Sequence, residues 1–194
     1  MKKILELCLS PDLGGLEIFV TDCFLNFTDL TDTHLIIEQN SKLDQYIKDK
    51  KKAYLKRNKF LPIFPALHLA HYIDKNGIDI IHFHWTKDIA TVVLAKIFSK
   101  QKPKIIQTRH MTMTRFKDDF YHKWLYKNID MIHAVTYQVK SQLEKFIPFN
   151  ILPKIEMVYL GCENTAINYT KIEELRDIYN IKDEFVVGII GRIE

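Results

Sequence analysis

The chain has 194 residues, 47% of them hydrophobic and 12% aromatic, with a formal net charge of +4. That length allows one full domain with a modest second element and excludes two full domains. The composition also excludes low-complexity and repeat architectures and any transmembrane helix, and three cysteines without C-x-x-C spacing indicate neither a disulfide framework nor a zinc knuckle.

The N-terminal "MKKILELCLSPD" starts basic, but its apolar run is too short for a signal peptide, so a cytoplasmic location is the expectation. Within it, "KILELCLS" has the length of a buried strand. Gly14-Gly15 then turns the chain into a helix whose stripe is Leu16, Phe19, Val20, Cys23 and Phe27. "THLIIEQ" reads as a second strand, "SKLDQYIKDK" as a polar helix or turn, and "AYLKR" as a weak strand. "FPALHLAHYIDKNG" is a helix with Pro65 near its start and Gly77 as its C-cap. "IDIIHFHW" and "PKIIQT" are strands flanking the helix "KDIATVVLAKIFSK". "RFKDDFYHKWLYKN" is helical, "IDMIHAV" a strand, "YQVKSQLEKF" a helix after Thr136, and "KIEMVYLG" a seventh strand. Strands joined by helical crossovers predict a Rossmann-like, doubly wound α/β fold, with a mostly parallel sheet and helices on both faces. After "YLGCENT" the chain turns polar, residues 171–180 form a short amphipathic helix, and "EFVVGIIGRIE" starts a fresh buried strand.

Charge is local. Residues 48–59, "KDKKKAYLKRNK", carry seven basic groups and one acidic one. Such a patch suits an anionic membrane, a phosphorylated substrate or nucleic acid, and reads equally well as a solvated edge strand kept soluble by lysine.

In an open α/β sheet, ligands bind beyond the carboxyl ends of the strands. Four such places carry chemistry-bearing residues. Gly14 and Gly15 offer bare backbone N–H groups at a helix N-terminus, the arrangement that suits an anion, or simply make a tight turn. Glu17 follows in the first helical turn, where it complements or caps the dipole or reaches into the crevice. His82 and His84 lie two apart on a strand, and no third ligand of matching spacing supports a metal; His84 and Trp85 read as pocket lining that could hold a sugar face, or as an ordinary core edge. His110 ends the next strand beside a Thr- and Met-rich loop, with Arg109 and Arg115 as anion-binding forks. Gly188-Ile189-Ile190-Gly191-Arg192 offers backbone approach and a fixed cation to a phosphate. His68 and His71 read as solvated, and Cys8 and Cys23 as buried thiols.

Taken in order, "GGLE", "IDIIHFHW", "QTRH", "MVYLGCEN" and "VGIIGRIE" resemble the N-terminal half of a glycosyltransferase family 4 enzyme with the GT-B fold, of the bacterial surface-polysaccharide type. The resemblance spans essentially the whole chain. It implies retaining, metal-independent transfer of a sugar from a nucleotide-sugar donor to a glycan or lipid-linked acceptor, with no cofactor and no nucleic-acid partner. Carried over by position, Gly14 and Gly15 would face the donor diphosphate, His110 the transferring sugar, and Arg192 the departing diphosphate. Glu163 stands where many members carry Asp. It further implies an N-terminal acceptor-binding domain over 1–165. Residues 166–194 would then be an interdomain segment and the first strand of a donor-binding domain. The lysine and E-x7-E region that follow the Gly-Arg motif in this family lie beyond Glu194, so the 194-residue chain is expected to be inactive alone. Residues 48–59 and the Arg109/Arg115 loop favour an anionic or lipid-linked acceptor and peripheral membrane contact. The rival reading is a non-enzymatic phosphate- or nucleotide-binding module.

Overall fold

Seven parallel strands form one sheet, and the sequence shows why it is parallel: its central strands are short, largely apolar runs, buried on both faces. They are β1 (Lys3–Cys8), β2 (Asp32–Ile37), β3 (Ala53–Tyr54), β4 (Ile80–Phe83), β5 (Lys104–Arg109), β6 (Met131–Ala134) and β7 (Lys154–Met157), in the spatial order β3-β2-β1-β4-β5-β6-β7. This computed structural model describes residues 1–58, 61–161, 166–182 and 184–188. Every pairing among the described residues is parallel, so the expected Rossmann-like fold is present. Chain order reverses at β1, which pairs with β2 on one side and β4 on the other. The crevice at that switch point is where such sheets bind ligands.

Helices α1 (Gly15–Thr28), α2 (Lys42–Tyr46), α3 (Ile63–Asn76), α4 (Ile89–Phe98), α5 (Phe120–Lys127) and α6 (Tyr137–Phe146) make the crossovers. Alternation along β1 assigns the faces. Leu5 and Leu7 join Ile81, Phe83 and Ile105 in a core with α3 and α4, whereas Cys8 packs with Val20 and Phe24 of α1 and Leu43 of α2. Glu6 shares the face of Cys8 and is fully buried. Gly77 ends α3 with φ of +65°, the left-handed C-cap that glycine adopts without a Cβ clash.

Two expectations needed adjustment. Helix α5 starts at Phe120 instead of near Arg115, because the Asp119 side chain accepts a hydrogen bond from the His122 backbone N–H (3.0 Å) and caps the helix there. The Lys-rich segment is not uniformly exposed. Its Lys52 is turned inward, donating to the carbonyl of Ile47 (2.8 Å) at the end of α2 and pairing with Asp44 (2.9 Å). The segment contains β3, the edge strand, where lysines discourage pairing with another chain.

The chain divides into two units, Met1–Leu160 and Gly161–Glu194. In the second, α7 (Tyr169–Ile178) is capped by Asn168, which accepts from the Lys171 N–H (3.0 Å). The strand expected from Glu184 onward is not formed in its described part. Among the described residues, 184–188 are assigned to no strand, and Phe185 and Val187 are exposed: an apolar run becomes a parallel strand only where neighbouring strands take its hydrogen bonds. Its remainder, with Arg192, lies outside the described residues, as do Cys162 and Glu163.

Candidate functional site

A charge in a central strand is costly unless it is paired. Glu6 is paired twice. One carboxylate oxygen accepts from His82 Nδ1–H of β4 (2.9 Å), the other from His84 Nε2–H just beyond it (2.8 Å). Burial alone would push the Glu6 carboxyl up, but the charge of His82 and the hydrogen bonds from both imidazoles outweigh it and hold it down at about 2. The carboxylate is therefore ionised and can only accept.

From His82 the line continues across the sheet. His82 Nε2 meets Thr108 Oγ1 of β5 (2.7 Å), Thr108 Oγ1 meets His133 Nδ1 of β6 (3.0 Å), and His133 Nε2 meets the Val158 carbonyl (2.8 Å). Both ends of this line accept only, and Thr108 has a single proton to give. If the hydroxyl donates to His82, His133 must donate from both nitrogens; if it donates to His133, His82 must. All four bonds are made together only when the line carries one proton more than two neutral imidazoles supply.

The second branch carries the predicted residue His110. With its Nε2–H given to Glu6, His84 turns Nδ1 toward His110 Nε2 at 3.5 Å. Burial and the neighbouring His82 bring His84 down to about 4, while burial and the charges of His84 and His133 bring His110 down to about 3. Both are neutral near pH 7. His110 therefore donates from Nε2 and keeps a lone pair on Nδ1, which has no partner among the described residues. Phe19 of α1 closes this group edge-on, with ring centroids 5.5 Å from His110 and 5.7 Å from His84.

The third and fourth metal-ligand types that local spacing lacked come from other elements, since Glu6 and Cys23 offer ligand atoms within 4.8 Å of those of His82 and His84. That donor set is of a kind that binds zinc. Here, however, the carboxylate and both imidazoles satisfy one another by hydrogen bonds, and burial pushes the Cys23 thiol up, away from the thiolate a metal takes.

The other predicted residues are spread around the same edge of the sheet. Gly14 is the N-cap of α1 in an extended conformation (φ −156°), and a Cβ at Gly15 would meet nothing within 4 Å, so tight packing does not explain Gly15. Glu17 is buried at the start of α1 but makes no capping hydrogen bond. Trp85 is half-buried, with the Arg57 guanidinium 4.9 Å and the Lys87 ammonium 5.1 Å from its ring. Arg109 lies on the opposite face of the sheet from His82 and Thr108 and spends its donors on Thr86 Oγ1 (2.5 Å) and the carbonyls of Met111 (2.8 Å) and Thr112 (3.2 Å). Arg115 is exposed and touches none of these groups. Spacing alone missed Glu6, His133 and Phe19. The available signal was an acid inside the apolar run "KILELC" and a histidine inside "MIHA".

The family model for Glycosyltransferase Family 4 matches residues 13–163. Among solved structures, the chain is similar to Anabaena HepE in complex with UDP-glucose, at 14% identity and TM-score 0.74, covering 100% of this chain and 54% of that one. It is also similar to a glycosyltransferase from Rickettsia africae ESF-5, at 19% identity and TM-score 0.72, covering 94% and 50%. The apo form of the lipopolysaccharide outer core galactosyltransferase WaaB matches at 15% identity and TM-score 0.66, covering 86% and 48%. This chain thus spans about half the length of the structures it matches. No curated protein matches the chain.

Proposed function

Because the chain belongs to glycosyltransferase family 4, we propose that it is the acceptor-binding half of a retaining enzyme that moves a sugar from a nucleotide-sugar donor to a glycan or lipid-linked acceptor. The observation that carries this reading is the neutral His110. It stands at the carboxyl end of β5, beside the switch-point crevice, with an unshared Nδ1 lone pair able to accept a sugar hydroxyl. Gly15, with open space where a Cβ would stand, and Gly14 before it offer backbone N–H groups for the donor diphosphate. The similarity to a lipopolysaccharide galactosyltransferase favours a bacterial surface polysaccharide as the product. No described helix is long and apolar enough to cross a membrane. The exposed Lys48, Lys50, Lys51 and Lys56 support peripheral contact with an anionic membrane.

The test is sugar incorporation from labelled UDP-glucose and other nucleotide sugars into membrane extracts. It should be run with the 194-residue chain and with the protein of its full reading frame. The longer protein should transfer with retention at the anomeric carbon, the shorter chain should not, and His110→Ala should lower the rate about 100-fold or more. Transfer unaffected by that substitution would remove His110 from the mechanism. Transfer by the chain alone would overturn the half-enzyme reading.

A further inference from the structure

On the face of the sheet that carries Arg109, the chain encloses a cavity of about 340 Å³ lined by Arg57, Lys87, Arg109 and Lys117, with Tyr121 and Tyr126 as aromatic walls. Four cations converge there and no carboxylate lines the space. Among the described residues, Lys87, Arg109 and Lys117 take part in no ion pair, and Arg57 has only Asp88, at 3.9 Å. Burial pushes the Asp88 carboxyl up to about 7, so its counter-charge is weak at neutral pH. Burial lowers Lys117 and Arg109, and the charge of Arg109 lowers Lys117 further. Like charges held together in a half-buried cavity repel, and an anion removes that cost.

The cations are also held in place. Three hydrogen bonds fix the Arg109 fork, which leaves two of its five N–H groups unspent. Arg57 and Lys87 rest on the same indole, that of Trp85. Lys117 donates to His122 Nε2 at 3.5 Å, and that imidazole is oriented by Asp119 through its Nδ1 (2.5 Å). A fixed guanidinium with several ammonium groups suits a tetrahedral dianion with three oxygens better than a singly charged carboxylate.

We propose that this cavity binds a phosphoryl group carried by the acceptor. The proposal rests on the glycosyltransferase reading for the word acceptor, not for the binding itself. Arg109 and His110 are consecutive at the end of β5, as are Trp85, Thr86 and Lys87 beyond β4. A phosphoryl group held here therefore tethers its sugar at the carboxyl edge of the sheet where His110 stands.

The chain titrated with inorganic phosphate, followed by amide NMR, should show saturable shifts at Lys87, Arg109 and Lys117, independent of any at Gly14 and Gly15. The double variant Lys87→Gln/Lys117→Gln should weaken binding about tenfold or more, while Lys117→Arg keeps it. Sedimentation with phosphatidylglycerol vesicles, against phosphatidylcholine vesicles, distinguishes the source. If the double variant loses vesicle binding as well as phosphate, the phosphoryl group is a lipid headgroup; if it loses phosphate alone, the group is on a soluble acceptor. Shifts confined to Gly14 and Gly15, equal affinities for the parent chain and the double variant, or no saturation would overturn the subsite. Sugar transfer by the longer protein with no phosphate binding would do so too, leaving the transferase reading intact. Phosphate binding without transfer would do the reverse.

Discussion

At the scale of single residues, Glu6 orients two histidines without reaching the crevice itself. Long-range proton–nitrogen NMR of the imidazoles should find, at pH 7, neutral His84 and His110, each as its Nε2–H tautomer. In Glu6→Gln the His84 tautomer should no longer be fixed, because the carboxylate that takes its Nε2–H is gone. A protonated His84 or its Nδ1–H tautomer in the parent chain would contradict the assignment. Asp88 is the counter-example, a buried carboxyl that gains too little. It accepts from the Leu9 N–H (2.9 Å), yet burial holds its pKa at about 7, far above the 3.8 of a free side chain. Raised in the fold, it favours folding at low pH, and that contribution is lost as pH climbs from about 4 to 7. Asp88→Asn, which keeps an acceptor for Leu9, should therefore stabilise the chain at pH 8 by roughly 2 kcal/mol and change little at pH 4, read from urea unfolding. Equal stability of the two proteins at pH 8 would show that Arg57 already offsets the burial.

Among elements, helix termini show how local chemistry sets boundaries that periodicity leaves vague. Thr136 accepts from the Val139 N–H (3.2 Å) and starts α6 where the sequence places it, whereas Asp119 starts α5 later than its apolar pattern implies. Thr136→Ala should cost about 1 kcal/mol by thermal unfolding, and Thr136→Ser almost nothing. The seven strands were legible because β1, β4, β5 and the others read as isolated apolar runs between turn signals, which helices of this length do not imitate. The polar line through them was not. Glu6 and His82 are 76 residues apart in sequence, and only their pairing in register brings carboxylate and imidazole together. His84, Trp85, Arg109 and His110 were singled out because ligands of such sheets bind at strand ends. What each would touch was not, since that depends on which face its strand turns to which helix. For the final apolar run, composition favours a strand, but pairing needs neighbours that propensity cannot count.

For the molecule as a whole, the buried imidazoles set the acid limb of stability. His84 and His110 titrate at about 4 and about 3 in the fold against 6.5 when free, so the stability they contribute is complete above pH 6.5 and is lost as pH falls toward 3. Glu6 adds a second loss between 4.5 and about 2. Asp88 opposes them over the upper part of that range, so Asp88→Asn should fall more steeply than the parent chain between pH 7 and 4. Circular dichroism melting temperatures at half-unit pH steps would show it; parallel curves would mean that the histidines and Asp88 do not govern the limb. The line from Glu6 through His82, Thr108 and His133 to the Val158 carbonyl also has a meaning for folding. It runs crosswise over four strands to the residue that follows β7, like a ruler laid on the sheet. Sliding any of those strands by one residue turns its mark to the other face and strands a charge or a hydroxyl in hydrocarbon. Apolar neighbours such as Ile81, Ile105 and Ile132 would tolerate a slipped pairing far better. The polar marks make it prohibitive, so these groups also fix the register in which the sheet is assembled.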